Sequence, residues 1–174
     1  KIRNDTALRA LQALRSGQID FAVVAMPEEP LQRPFKRTDL KPFRDILVGG
    51  RIFAELAARP LCLTDLNHYP MISLARDTAA FAFYSDFYME HGLEFDPDVE
   101  VATTDLLLPM VENGLGLGFV PEEFAVEALR AGRVVRIHLK ETLPERRICL
   151  VEDTRSTLST AARTLRQMLC AYSI

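Results

Sequence analysis

The segment "VENGLGLGFVPEEF" (111–124) has glycines at alternate positions, a pattern that could bind a nucleotide. A dinucleotide loop needs G-x-G-x-x-G directly after a strand and before a helix, so that backbone N–H groups meet a pyrophosphate. Gly114 and Gly116 fit this spacing, but the third position is Phe119, and the segment follows a predicted helix. The pattern instead predicts a helix C-cap at Gly114, a short strand, and a new helix with Pro121 in its first position.

The other reactive side chains form no recognisable catalytic or metal-binding motif. His68, His91 and His138 are far apart in the sequence and lack the spacing of a zinc site. No serine lies in a G-x-S-x-G motif. The adjacent glutamates of "MPEEP" are an alternative acid–base pair, but two carboxylates in a proline-rich loop are more often solvated surface. We therefore predict no enzymatic activity, no cofactor and no metal.

Composition and charge exclude several classes of protein. The chain has 174 residues, 48% hydrophobic and 26% charged, which is ordinary for a globular domain. Its net charge of −3, without a basic run, gives no electrostatic signal for nucleic-acid binding. No apolar stretch reaches the roughly 20 residues of a membrane span, and no signal peptide opens the chain. Cys62, Cys149 and Cys170 are odd in number and in apolar surroundings, which favours reduced thiols of a cytoplasmic protein over a disulfide.

Strand and helix signals alternate along almost the whole chain. The predicted strands include "IDFAVVAM" (19–26), "PFRDILVGG" (42–50), "PMISLA" (70–75) and "DVEVA" (98–102). A helix is expected after the strands at 70–75 and 98–102, and Thr103 or Thr104 is expected to cap the second of these helices. This alternation predicts an α/β fold with an open sheet and right-handed crossovers.

Two motifs taken together resemble a known family. "LRSGQIDFAVV" (14–24) resembles the L-x-x-G-x-[IL]-D-[FL]-A segment of LysR-type transcriptional regulators, in their effector-binding domain. "VENGLGLGFVP" (111–121) resembles the V-x-x-G-x-G-[IL]-x-x-[LV]-P segment of the same domain. Between them, "LTDLNHYPMISL" (63–74) occupies the place of the family's L-x-x-L-x-x-x-P-x-[IL] element. The resemblance covers essentially the whole chain.

The resemblance implies a periplasmic-binding-protein-like fold (type 2), with two α/β lobes joined by two crossover strands. On this template lobe I comprises residues 1–47 and 121–174, and lobe II comprises residues 48–120. The crossovers would be "DILVGG" (45–50) and "GLGLGFVP" (114–121). Their predicted hinge residues are Gly49, Gly50, Gly114, Gly116, Gly118 and Pro121.

The family also implies a function, namely the ligand-sensing and oligomerising part of a cytoplasmic transcription factor. Such regulators bind promoter DNA through an N-terminal winged helix-turn-helix, which this chain lacks together with the family's first strand and helix. A solute-binding protein of a transporter shares the fold and is the alternative. An enzyme on the same scaffold is a third possibility that rests on fold analogy alone.

A small-molecule effector is expected in a cleft between the lobes, where strand ends meet helix starts. The predicted contact residues follow the strands of both lobes or form the hinge floor: Met26, Pro27, Arg76, Asp77, Thr78, Thr103, Thr104, Phe119 and Val120. Two helix N-termini, threonine hydroxyls and one arginine favour a carboxylate or another small anion. Asp77 opposes that choice and favours an amine or a hydroxyl instead. The threonines are alternatively helix caps only.

Assembly into a homodimer or homotetramer is predicted from the aromatic helix near residue 84. Phe81, Tyr84 and Tyr88 belong to a cluster of aromatic residues that is wider than one core-facing stripe requires. The resemblance agrees, because regulators of this family pair their effector domains through a helix at this position. The alternative is a wide core face within a single chain.

Overall fold

The structure, a computed structural model, describes residues 2–26 and 31–171, which divide into two compact units. Unit 1 comprises Lys1–Phe43 and Glu145–Ile174, and unit 2 comprises Arg44–Pro144. This division differs from the predicted lobe boundaries, because residues 121–144 contribute a helix and a strand to unit 2.

The described residues contain five α-helices, eight strands and two 3₁₀-helices. The α-helices are α1 (Ala7–Arg15), α2 (Ala79–Glu90), α3 (Thr104–Glu112), α4 (Glu122–Arg130) and α5 (Thr160–Ala171). The strands are β1 (Phe21–Met26), β2 (Phe35–Phe43), β3 (Asp45–Gly50), β4 (Met71–Leu74), β5 (Val99–Val101), β6 (Leu117–Pro121), β7 (Val134–Ile137) and β8 (Arg146–Asp153). The 3₁₀-helices are Arg51–Ala58 and Leu63–His68. The predicted strand at 42–50 is thus divided at Arg44.

Unit 1 contains a three-stranded antiparallel sheet in the order β1-β8-β2. The apolar run of β1 places Ala22 and Val24 on one face, since side chains of a strand alternate between faces. Both pack against Leu14 of α1 and Val151 of β8. Leu14, with the partly buried Leu11, therefore packs α1 onto this face of the sheet.

Unit 2 contains a five-stranded mixed sheet in the order β5-β4-β6-β3-β7. Strand β4 is parallel to β5 and to β6, whereas β3 is antiparallel to β6 and β7. Each face of this sheet has its own core. On one face the aromatic side chains of α2 pack with Leu117 and Phe119 of β6. On the other face α3 and α4 pack with Val48 of β3 and Val120 of β6.

The segment 111–124 begins and ends as the glycine and proline signals predict. Gly114 has a φ of +76° after the end of α3, and its N–H donates to the carbonyl of Val111 at 2.9 Å. Strand β6 follows, and α4 then begins with Glu122 and Glu123 in its first turn. Pro121 occupies the N-cap of α4, one position before the predicted one. The strand is confirmed, and the C-cap of α3 is Asn113, one residue before the predicted Gly114.

No helix within the described ranges is both long enough and apolar enough to cross a membrane.

Candidate functional site

The carboxyl ends of β4 and β5 meet at one edge of the unit 2 sheet. The two strands are parallel neighbours with Leu74 opposite Val101, and the N–H of Ala75 donates to the carbonyl of Val101 at 3.0 Å. The chain continues from β4 into α2 on one face of the sheet and from β5 into α3 on the other. Ligands of open α/β sheets bind preferentially at such a point, where the connections that leave two neighbouring strands go to opposite faces of the sheet. Residues 75–78 and 102–105 therefore form the candidate site, called here the switch-point edge.

Thr78 is the N-cap of α2 and its side chain is already used. The hydroxyl donates to the carbonyl of Ala75 at 2.7 Å and accepts from the N–H of Phe81 at 3.2 Å. Only 8% of the residue is exposed. Thr78 therefore caps α2 with its own hydroxyl. This is the alternative to a ligand contact that the sequence analysis left open for the threonines.

Thr103 has the same position in α3 but a different environment. It is the N-cap of α3 by backbone geometry and is exposed, yet its hydroxyl makes no capping bond within the described chain. The first-turn N–H groups of a helix need acceptors, and those of Thr104 and Asp105 gain none from this hydroxyl. The start of α3 therefore offers a hydroxyl and backbone donors to a ligand.

Arg76 is engaged by acidic residues of its own unit. Its Nε donates to Glu100 at 2.8 Å and its terminal NH2 group donates to Asp96 at 2.6 Å. The guanidinium also lies 5.3 Å from the centre of the Phe81 ring. The hydrogen bonds to Asp96 and then Glu100 raise the pKa of Arg76 above its ordinary value. Arg76 is thus not the uncommitted cation that an anion site would need, and Asp77 beside it is an exposed carboxylate.

The remaining predicted contact residues lie elsewhere. Phe119 is 4% exposed with its ring stacked on Tyr84 at 4.8 Å, and Val120 is fully buried in the opposite core. Their side chains belong to the interior of unit 2. Met26 ends β1 in unit 1 and packs at the margin of its core. Pro27 lies outside the described residues.

The six predicted hinge residues all lie inside unit 2, away from both unit boundaries. Four of the glycines occupy close contacts between elements. A Cβ at Gly50 would lie 2.4 Å from the carbonyl oxygen of Val111, and one at Gly116 would lie 2.5 Å from that of Pro70. Corresponding distances are 2.8 Å at Gly49 and 2.7 Å at Gly118, both to leucine side chains. Glycine at these positions permits close packing of strands and helices.

Of the three residues predicted at a dimer interface, Tyr84 and Tyr88 lie in the core of unit 2, and Phe81 is partly buried and packs against that core. Tyr84 and Tyr88 are 4% and 3% exposed, and their rings contact Phe95. Phe81 also packs against Phe95, with ring centres 5.5 Å apart. Burial, followed by the negative charge of Glu141, raises the pKa of Tyr88 far above its usual range. Both tyrosines are thus covered within a single chain, as the alternative of a wide core face expects, and the interface through α2 stays a prediction.

The sequence did not point to Asp96 and Glu100, the two partners of Arg76. They lie 20 and 24 residues after it. Acidic residues in a loop and an edge strand are ordinary surface residues, so only the parallel pairing of β4 with β5 shows that they face the arginine.

Cys149 lies in the core of unit 1. It is fully buried, and its Sγ donates to Oδ1 of Asp39 at 3.3 Å. Burial and this hydrogen bond raise the pKa of the Cys149 thiol to about 11. Cys62 and Cys170 are free thiols of intermediate exposure. Within residues 2–26 and 31–171, no three His, Cys, Asp or Glu side chains are grouped as a metal site would require.

We expect the three thiols to differ in reactivity with a disulfide reagent at pH 8. Cys62 and Cys170 are expected to react in the folded protein, whereas Cys149 reacts only after unfolding, because thiolates are the reactive form and this thiol is buried and protonated. Counting the equivalents released with and without urea measures this. Three rapid equivalents without urea would contradict it.

The family model described as the LysR substrate binding domain matches residues 1–172. The chain belongs to this family. The regulatory domain of HypT from Salmonella typhimurium in its apo form is 18% identical, with a TM-score of 0.78 over 99% of this chain and 81% of that chain. The effector-binding domain of QuiR in complex with shikimate is 13% identical, with a TM-score of 0.77 over 97% and 78%.

The regulatory domain of CcmR from Synechocystis PCC6803, in complex with 2-PG, has the same fold. It is 12% identical, with a TM-score of 0.83 over 99% of this chain and 82% of that chain. At such identities these likenesses show the fold, and the predicted periplasmic-binding-protein-like class (type 2) is confirmed. No curated protein matches the chain.

Proposed function

We propose that this LysR substrate-binding domain senses a small-molecule effector for a DNA-binding transcriptional regulator. The observation that carries the proposal is the switch-point edge, where α2 and α3 begin on opposite faces of neighbouring parallel strands. The family supports it, since solved neighbours of this fold hold shikimate and 2-PG. Binding of promoter DNA, assembly into an oligomer and a cytoplasmic location are parts of the proposal that come from the family.

At the switch-point edge, the effector contact within unit 2 is the start of α3. The hydroxyl of Thr103 and the backbone N–H groups of Thr104 and Asp105 supply donors at the positive end of the helix dipole. The carboxylates of Asp77 and Asp105 supply acceptors. This combination suits an effector with hydroxyl or amino groups as well as an acceptor oxygen. Arg76, Phe119 and Val120 are not part of the proposed contact set.

Replacement of Thr103 by alanine is expected to weaken effector binding about fivefold, since one hydrogen bond is lost. Shikimate and 2-PG are starting probes in a calorimetric screen, followed by the effector that the screen identifies. Thr64→Ala is the matched control, because Thr64 is exposed in the 3₁₀-helix Leu63–His68, apart from the switch-point edge. Equal affinity in the Thr103→Ala variant and the unchanged protein would remove Thr103 from the site.

The regulator function is tested separately with DNA. Residues 1–174 carry a net charge of −3 and are expected not to retard duplex DNA at physiological salt, since DNA affinity depends on Lys and Arg contacts to phosphates. The full-length protein is expected to retard its own promoter region in an electrophoretic assay, with a mobility or affinity that the effector changes. Tight, salt-sensitive DNA binding by residues 1–174 would contradict this assignment of roles.

A further inference from the structure

Arg76 makes three contacts with its guanidinium, and they come from two parts of unit 2. Phe81, whose ring lies under the guanidinium, belongs to the first turn of α2. Glu100 belongs to β5, and Asp96 belongs to the segment that leads into β5. The same Phe81 ring contacts Phe95, next to Asp96 in the chain. Arg76 therefore connects the start of α2 to the segment that leads into α3.

This connection spans the switch-point edge. Arg76 lies in the loop between β4 and α2, close to the cap residue Thr78. Glu100 shortly precedes Thr103, which begins α3. A change in the distance between Arg76 and Glu100 consequently changes the position of one helix start relative to the other.

We propose that Arg76 is a positioning residue that fixes the start of α3 relative to the start of α2. That this positioning matters for sensing rests on the proposed function. The positioning itself involves only residues of unit 2. A single exposed ion pair usually stabilises little. Here two carboxylates and an aromatic face hold one planar group, so the guanidinium has few other orientations.

The chemistry of Arg76 separates this role from direct anion binding. An anionic effector would have to displace Asp96 or Glu100, both within 2.8 Å of the guanidinium nitrogens. Lysine would keep the charge but could not donate in two directions from a plane while stacking on Phe81. The geometry of the side chain, and not its charge alone, is what the role requires.

Amide hydrogen exchange of residues 1–174 tests the proposal without an effector. Arg76→Ala is expected to accelerate exchange at residues 106–108 by about threefold, although Arg76 makes no bond to these amides among the residues described. They lie in the first turns of α3, where the N–H of Leu106 donates to the carbonyl of Thr103 at 3.1 Å. Arg76→Lys is expected to restore only part of the protection. Arg133→Ala is the matched control, because Arg133 also pairs with two carboxylates, Glu112 and Glu127, but at the C-terminal end of α3.

Salt provides a second readout, which a role of Arg76 through side-chain packing alone would not change. Raising NaCl to about 1 M is expected to accelerate the same amides in the unchanged protein, because exposed ion pairs are screened. It is expected to add nothing in Arg76→Ala, whose ion pairs are already absent. Unchanged exchange at residues 106–108 in Arg76→Ala, or equal acceleration in Arg133→Ala, would overturn the proposal. Failure to find an effector would count against the proposed function and leave this result unaffected.

Discussion

Replacement of Gly116 by alanine is expected to destabilise unit 2 by about 3 kcal/mol, at the upper end of what overpacking costs. The added Cβ would lie 2.5 Å from the carbonyl oxygen of Pro70 and 3.0 Å from its carbonyl carbon. These are backbone atoms at the junction of β4 and β6, where the N–H of Leu117 donates to the same oxygen at 2.8 Å. No side-chain rotation relieves this contact, so the two strands must separate. Urea unfolding followed by circular dichroism measures the change.

Gly92→Ala is the matched control for this prediction. Gly92 has a φ of +72°, and a methyl group added there would have no other atom within 4 Å. Alanine at this position is therefore expected to lower the free energy of unfolding only by the strain of a positive φ, about 1 kcal/mol. Equal destabilisation by the two substitutions would show that the close approach at Gly116 has no energetic consequence. A Gly116→Ala variant of unchanged stability would leave the predicted hinge role as the explanation for this glycine.

Replacement of Tyr84 by alanine is expected to destabilise the isolated chain by about 3–5 kcal/mol, as large-to-small substitutions of buried aromatic residues do. The ring is 4% exposed and stacks on Phe119, with further ring contacts to Phe83 and Phe95. Its removal leaves a cavity between α2 and β6. The free energy of unfolding in urea, measured at two protein concentrations, tests this expectation.

Met89→Ala supplies the comparison on the same helix. Met89 is 67% exposed, so its replacement is expected to change the free energy of unfolding by less than about 0.5 kcal/mol. If instead Tyr84→Ala left unfolding unchanged and shifted the sedimentation coefficient towards that of a monomer, the ring would be a partner contact. That outcome would support the predicted interface through α2.

Much of the local structure could be predicted from the sequence, because local signals depend on a few neighbouring residues. Gly114 ends α3 since only glycine readily adopts its positive φ, and Thr78 caps α2 with its own hydroxyl. The apolar run "FAVVAM" forms β1 as predicted. The ordered pair of glycine motifs was sufficient to identify the family, and with it the fold class.

Which of these residues meet, and which remain available to a ligand, became clear from the packing of the folded chain. Thr78 and Thr103 look alike in the sequence, yet one hydroxyl is buried in a cap and the other is exposed without one. Arg76 looked like an anion ligand until the pairing of β4 with β5 brought Glu100 and Asp96 to it. The glycines of β3 and β6 were predicted as hinges from the sequence, and the folded chain shows in addition that neighbouring elements approach them closely. Each of these outcomes depends on contacts between residues distant in the chain, which local propensity and spacing do not encode.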